Sequence, residues 1–212
     1  KNMLDVAIGA IVWWLFGFGL AYGSDWNGIV GTSAGDGADL FAVVRTAETR
    51  APKQELQLNT LWWFQLGFAA TAATIVSGAA AERCNLVAYC IFTPVMTGVI
   101  YPIVVHWKFT PEGWASTENP KAAFGGMLDF AGAGSVHTTG GVAALWCAFL
   151  LGPRHGRFSE DEHGVMRPLK MEGHSQTMQV LGTFLLWVGW YGFNAGSQLA
   201  IAGEEAQLAA RA

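Results

Sequence analysis

Residues Gly132 to Gly152 read GAGSVHTTGGVAALWCAFLLG. A helix needs about 20 predominantly apolar residues to cross the hydrocarbon core of a bilayer, and this stretch supplies them. It carries a single ionisable side chain, His137, with glycines on both sides. Strict two-residue alternation is missing and the run is too long for a barrel strand, so its backbone polar groups must be satisfied within a helix. The class follows from this segment: a membrane helix holding a lone imidazole.

The rest of the chain repeats the pattern. Of 212 residues 52% are hydrophobic and 13% charged, against about a quarter charged in a soluble domain. Apolar runs at about 3–23, 60–81, 85–106 and 177–202 join the one at about 131–151. The expected fold is all-α, a polytopic transmembrane helical bundle, with residues 1–212 forming one membrane domain. The chain opens at Lys1-Asn2, almost directly into a spanning segment and without methionine, so it is expected to be part of something longer. A net charge of −4 gives no basic field, and no stretch interleaves basic and aromatic residues, so nucleic acid is not an expected partner.

Basic residues set the expected orientation. One group, Lys1, Arg83, Arg154, Arg157, Arg167 and Lys170, lies in short loops and near helix ends, where the positive-inside bias acts. The other, Arg45, Arg50, Lys53, Lys108, Lys121 and Arg211, lies among carboxylates. The 82–84 turn and the 153–176 loop are therefore expected in the cytoplasm, and the 24–59 and 107–130 loops outside. Ala69, Ala73, Ser77 and Ala81, and likewise Ala70, Thr74 and Gly78, recur every four residues, which lets helix backbones approach closely. Cys84, Cys90 and Cys147 show no metal-type spacing and are expected as buried free thiols.

Few residues could carry chemistry. An ionisable group inside a membrane helix faces a cavity or the bundle interior. His137 is accordingly either a pore group or a neutral histidine bonded to a neighbouring helix. Burial disfavours imidazolium, and a neutral ring offers one donor and one acceptor, which suits a small neutral solute or a proton relay. Asp129, in GMLDFAGAG just before that helix, is either an N-terminal cap or a shaper of a cation path. Trp62, Trp63, Phe64 and Phe68, with Trp107 and Phe109, suit an interfacial belt. Phe64 and Phe68 share a helix face and could also line a mouth that attracts cations. In WVGWYGFNAGS, residues 187–197, glycines interrupt an aromatic helix end that closes on the Ser197 hydroxyl. His155, His163 and His174 lie in a charged loop and are expected in solvent. No nucleophile with a base, no metal-ligand cluster and no phosphate-binding loop is present, so neither an enzyme nor a cofactor is expected.

Five stretches, KNMLDVAIGAIVWWLFGFGLAYG, FQLGFAATAATIVSGAAAER, YPIVVHW, LDFAGAGSVHTTGGVAAL and WVGWYGFNAGS, together resemble the ammonium transporter family (the Amt, Mep and Rh proteins), in its plant and algal form. They occur in the family's order and spacing from end to end of the chain. The resemblance implies an eleven-helix inverted-repeat fold, of which this chain looks like helices two to six, and assembly as a homotrimer with one pore per subunit. It implies that Phe64, Phe109 and Ser197 recruit ammonium, with Phe109 standing where many relatives carry tryptophan. It further implies that Phe68 and Phe193 close the mouth, that His137 is the first of two pore histidines and that Trp190 lies beside the pore. Asp129 matches the acid needed near the entrance. Ammonium, ammonia or methylammonium would be the cargo, the plasma membrane the setting, and an ammonium sensor on the same fold the alternative. The second pore histidine belongs to a later helix, so this stretch alone is expected to form no pore.

Overall fold

The computed structural model describes residues 1–32 and 52–211. Part of the 24–59 loop, with Arg45 and Arg50, lies outside the described residues. Contacts divide the chain into two compact units, Lys1–Pro153 and Arg154–Ala212.

The first unit opens with helix α1 (Asn2–Tyr22), followed by an antiparallel hairpin of β1 (Ser24–Trp26) and β2 (Val30–Thr32). Helices α2 (Pro52–Ala80), α3 (Leu86–Phe109) and α4 (Ala133–Leu151) complete it. By length and composition α1, α3 and α4 can each cross a membrane. Local chemistry sets several boundaries. Asn85 caps α3 by accepting the Ala88 N–H at 2.7 Å. Inside α3, Pro94 removes one rung of the hydrogen-bond ladder, and a π turn follows at Met96–Ile100.

Small residues let the backbones meet. A Cβ on Gly17 would lie 2.8 Å from the Thr97 carbonyl, and one on Gly98 would lie 2.5 Å from Val12 Cγ1, so α1 and α3 cross at these glycines. A Cβ on Gly140 would stand 2.9 Å from the Ala72 carbonyl, which marks the same close approach between α4 and α2. Of the two small-residue stripes on α2, Ala69, Ala73 and Ser77 are buried, whereas Gly78 is open. The three cysteines are free but half-buried. The expectation of buried thiols is corrected here, because Cys84 sits in the turn after α2 with its thiol on the Asn85 carbonyl, and Cys147 lines an open groove.

At the end of this unit that holds the 82–84 turn, Lys1 Nζ donates to the carbonyls of Ala80, Ala81 and Cys84 at 3.0–3.2 Å. Arg83 reaches the Gly152 carbonyl at 2.9 Å. Both cations thus serve carbonyls at helix C-termini, where positive charge is favoured. One turn above Lys1, Asp5 is fully buried, accepting the Tyr89 hydroxyl at 2.7 Å and the Thr93 hydroxyl at 2.9 Å. Removing one donor would leave a buried carboxylate oxygen unserved, at roughly 1–3 kcal/mol. Tyr89→Phe is therefore expected to lower the detergent-unfolding midpoint of the full-length protein by that equivalent. An unchanged midpoint would mean that Asp5 does not depend on the phenol.

The second unit holds a hairpin of β3 (Phe158–Glu160) and β4 (Met166–Pro168), helix α5 (Gln176–Gly196) and a short α6 (Glu205–Arg211). In the hairpin turn, the Arg167 guanidinium and the N–H groups of Val165 and His163 hold the Asp161 carboxyl below the usual carboxylate range. His163 is 77% exposed, as its charged loop implies.

Candidate functional site

The site is built around the start of α4. Gly132 has φ +84°, a left-handed conformation that favours glycine, and it turns the chain from the 110–131 loop into the helix. Its carbonyl accepts the N–H groups of Val136 and His137, both at 2.9 Å, across a π turn spanning Ala133–Thr138. His137 Nδ1 also lies 3.2 Å from that carbonyl. A carbonyl can only accept, so Nδ1 carries the proton, and in the neutral ring Nε2 presents a lone pair.

Phe68 packs against the same turn, since a Cβ on Gly132 would come within 3.3 Å of its ring. Phe68 is buried, with its ring centroid 4.8 Å from that of Phe64 at an interplanar angle of 53°. The shared face of α2 thus sets two aromatic rings beside the backbone that holds His137. Asp129 supports the turn from the other side. Its Oδ2 accepts both the N–H and the hydroxyl of Ser135 at 2.8 Å, and its Oδ1 is buried without a hydrogen-bond partner among the described residues. The carboxylate is therefore a cap with one oxygen in use.

Phe109 lies at the end of α3, with Lys108 Nζ 5.3 Å from its ring centroid, within cation–π range. An alkylammonium of the protein itself already engages this ring. In the second unit Trp190 and Phe193 stack at 5.2 Å and 20°, and the Ser197 hydroxyl donates to the Phe193 carbonyl at 2.8 Å. The structure thus brings Phe68, Asp129 and His137 to one turn, with Phe64 beside Phe68, while Trp190, Phe193 and Ser197 cluster at the end of α5. A groove of about 950 Å³ runs along α2, α3 and α4, lined in part by Val104, Trp107, Val142 and Trp146.

A family model described as Ammonium Transporter Family matches residues 1–212. The chain belongs to that family. Among its ammonium-transporter relatives, the sequence is 45% identical over 199 residues to Ammonium transporter 1 member 1 of Oryza sativa subsp. japonica, covering 92% of this chain and 37% of the relative. Its fold is similar to a solved structure described as "Sensor Amt Protein", with TM-score 0.72 and 32% identity, over 96% of this chain and 47% of that one. It is likewise similar to Saccharomyces cerevisiae Mep2, with TM-score 0.67 and 29% identity, over 92% of this chain and 40% of that one. The chain thus spans less than half the length of these ammonium-transporter relatives. It is an integral membrane protein and not an enzyme.

Two polar groups escaped the sequence reading. Fully buried His106 on α3 contacts the Ala21 carbonyl and Asp25, and Ser135 is the partner of Asp129. The signal for His106 was present, because a histidine in YPIVVHW inside an apolar helix needs partners at both nitrogens.

Proposed function

We propose that this chain supplies the outer vestibule, the gate and the first pore histidine of a protein that moves ammonium across a membrane as ammonia. The observation that carries the reading is the turn at Gly132, where Phe68 packs on the backbone whose carbonyl fixes the His137 tautomer. Phe64, Phe109 and Ser197 recruit the cation, and Phe68 with Phe193 closes the mouth. The ion gives up its proton there, and ammonia passes along an apolar lumen by His137, with Trp190 beside the path. Asp129 orders the turn and favours positive charge near it.

Physical chemistry favours this sequence of events. Potassium and ammonium are nearly equal in size, but potassium has no proton to lose. Stripping an ion of water in a low-dielectric lumen costs several kcal/mol, far more than one ring face returns, whereas a neutral molecule crosses cheaply. The working assembly is a homotrimer in the plasma membrane, with the 24–59 and 107–130 loops outside, the 82–84 and 153–176 stretches in the cytoplasm, and no cofactor. Methylammonium, which also carries a removable proton, is a second cargo.

The test is expression of the full-length reading frame in cells lacking their own ammonium carriers. Saturable labelled-methylammonium uptake and growth on low ammonium are the expected result. A protein shown at the membrane that gives neither would overturn the transport reading. It would favour an ammonium sensor, the reading supported by the similarity to the protein described as "Sensor Amt Protein".

A further inference from the structure

His106 has hydrogen-bond acceptors at both ring nitrogens. Nδ1 is 2.8 Å from the Ala21 carbonyl and Nε2 is 3.0 Å from Asp25 Oδ1. The carbonyl cannot donate, so Nδ1 bears a hydrogen. Asp25 Oδ1 already takes the Gly28 N–H at 2.6 Å, a short approach that suits an anionic oxygen. With Asp25 ionised, this oxygen can only accept, so Nε2 then bears a hydrogen too. A buried cation needs a partner, and here it has a carboxylate and the C-terminal end of α1, where positive charge is favoured.

We propose that His106 and Asp25 hold one proton between them as an imidazolium–carboxylate pair, and that this pair positions the β1–β2 hairpin against the aromatic end of α3. Both are positioning residues for cation recruitment, so the inference rests on the transport reading. Three hydrogen bonds and one ring contact lead from the pair to the end of α3. Asp25 Oδ1 bridges the ring and Gly28, and the Gly28 carbonyl accepts the Trp114 N–H at 3.3 Å. The Trp114 ring lies 5.5 Å from that of Trp107, between His106 and Phe109 in sequence. Gly28, at φ +70°, fits so tightly that a Cβ would stand 3.0 Å from the Glu112 carbonyl.

The other titratable or charged groups on α3 near the ring are Tyr101 and Lys108. The elements packed on this part of α3 add Tyr22 from α1 and His137 from α4, and none from β2 or from residues 58–80 of α2. Asp25 is the one among them with a hydrogen bond to the ring among the described residues. Its side chain is 25% exposed, whereas that of His106 is fully enclosed, so solvent reaches the proton through Asp25. While the proton is held, the hairpin is fastened. As rising pH removes it, the Nε2 lone pair faces a carboxylate oxygen, and the fastening is lost.

The test compares wild type, Asp25→Asn and His106→Phe in the full-length protein. Methylammonium uptake is measured over a pH series, alongside hydrogen exchange of the Gly28 and Trp114 amides corrected for the intrinsic pH effect. Nitrogen NMR of labelled histidine follows the ring. In the wild type, loss of the ring proton should speed both amides and raise apparent KM about two- to thirtyfold, the worth of one cation–π contact, with Vmax little changed. In Asp25→Asn the one side-chain oxygen at this position can still accept from Gly28 and from a protonated ring, but it carries no charge to hold the ring proton, so KM and exchange should rise at lower pH than in the wild type. His106→Phe should show high KM at every pH. Equal pH profiles in wild type and Asp25→Asn, or a ring that titrates without moving either amide, would overturn the proposal. If the wild type carries no methylammonium, the exchange and NMR data still decide the pair.

Discussion

His137→Ala in the full-length protein is expected to abolish saturable ammonium uptake, or to turn it into a leak that also admits potassium. The imidazole is the group in this turn with a lone pair able to take a proton and a neighbouring N–H able to give one. A positioned proton acceptor contributes roughly 10²–10⁴-fold, so uptake should fall by about a hundredfold or more. Truncation also opens space beside Gly132 for water, and a wetter lumen lowers the dehydration barrier that excludes potassium. Methylammonium and radioactive rubidium influx in the same cells separate the two outcomes. A collapsed protein would give neither signal, and His137→Gln guards against that confusion. Its amide can donate to the Gly132 carbonyl and keep the turn, yet it cannot carry a proton. Normal yield with lost uptake is expected of it. Wild-type uptake in both variants would remove His137 from the path.

Of the five expected spans, those in α1, α3 and α4 are helices long and apolar enough to cross a membrane, legible because lipid demands length and apolarity at once. The run expected at about 131–151 is the helix Ala133–Leu151, and the one expected at about 3–23 is Asn2–Tyr22. Boundaries set by polar residues were not visible to that reasoning. Helix α2 begins at Pro52, well before the apolar run at 60, because proline suits the first helical turn and KQELQ forms helix without being apolar. At the other end of the chain α5 stops at Gly196 although apolar residues continue to about 202.

Pairings between distant residues were hidden for another reason. His106 meets Asp25 across 81 positions and Asp5 meets Tyr89 across 84, and neither separation has a periodicity to betray it. Lys108 over Phe109 is a local contact, but in the sequence Lys108 counted only as one positive charge in an outer loop. The motif reading gathered Phe64, Phe68, Asp129 and His137. That Phe68, Asp129 and His137 meet at the turn Gly132–Ser135 was hidden, because the meeting depends on a left-handed glycine and a carboxylate–serine contact which composition does not encode.

Asp129→Asn should leave the protein folded and lose tenfold or more in uptake at low ammonium, about 1.4 kcal/mol of cation stabilisation. Two roles for this acid were open in the sequence, cap and cation partner, and the geometry lets them be separated. The cap needs only an acceptor for the Ser135 N–H and hydroxyl, which Oδ2 supplies at 2.8 Å, and an asparagine amide oxygen can supply it equally. What asparagine cannot supply is charge. Oδ1 is buried without a hydrogen-bond partner among the described residues, which is a costly place for half of a carboxylate unless positive charge passes near it. A field role therefore predicts normal yield and unfolding midpoint with impaired uptake in Asp129→Asn. In Asp129→Ala the helix start also loses its cap, so the midpoint should fall by a further 0.5–2 kcal/mol equivalent, about what capping residues contribute. If Asp129→Asn carries methylammonium as the wild type does while Asp129→Ala fails to fold, the acid is a cap alone, and the positive charge at the mouth must be stabilised by the aromatic rings.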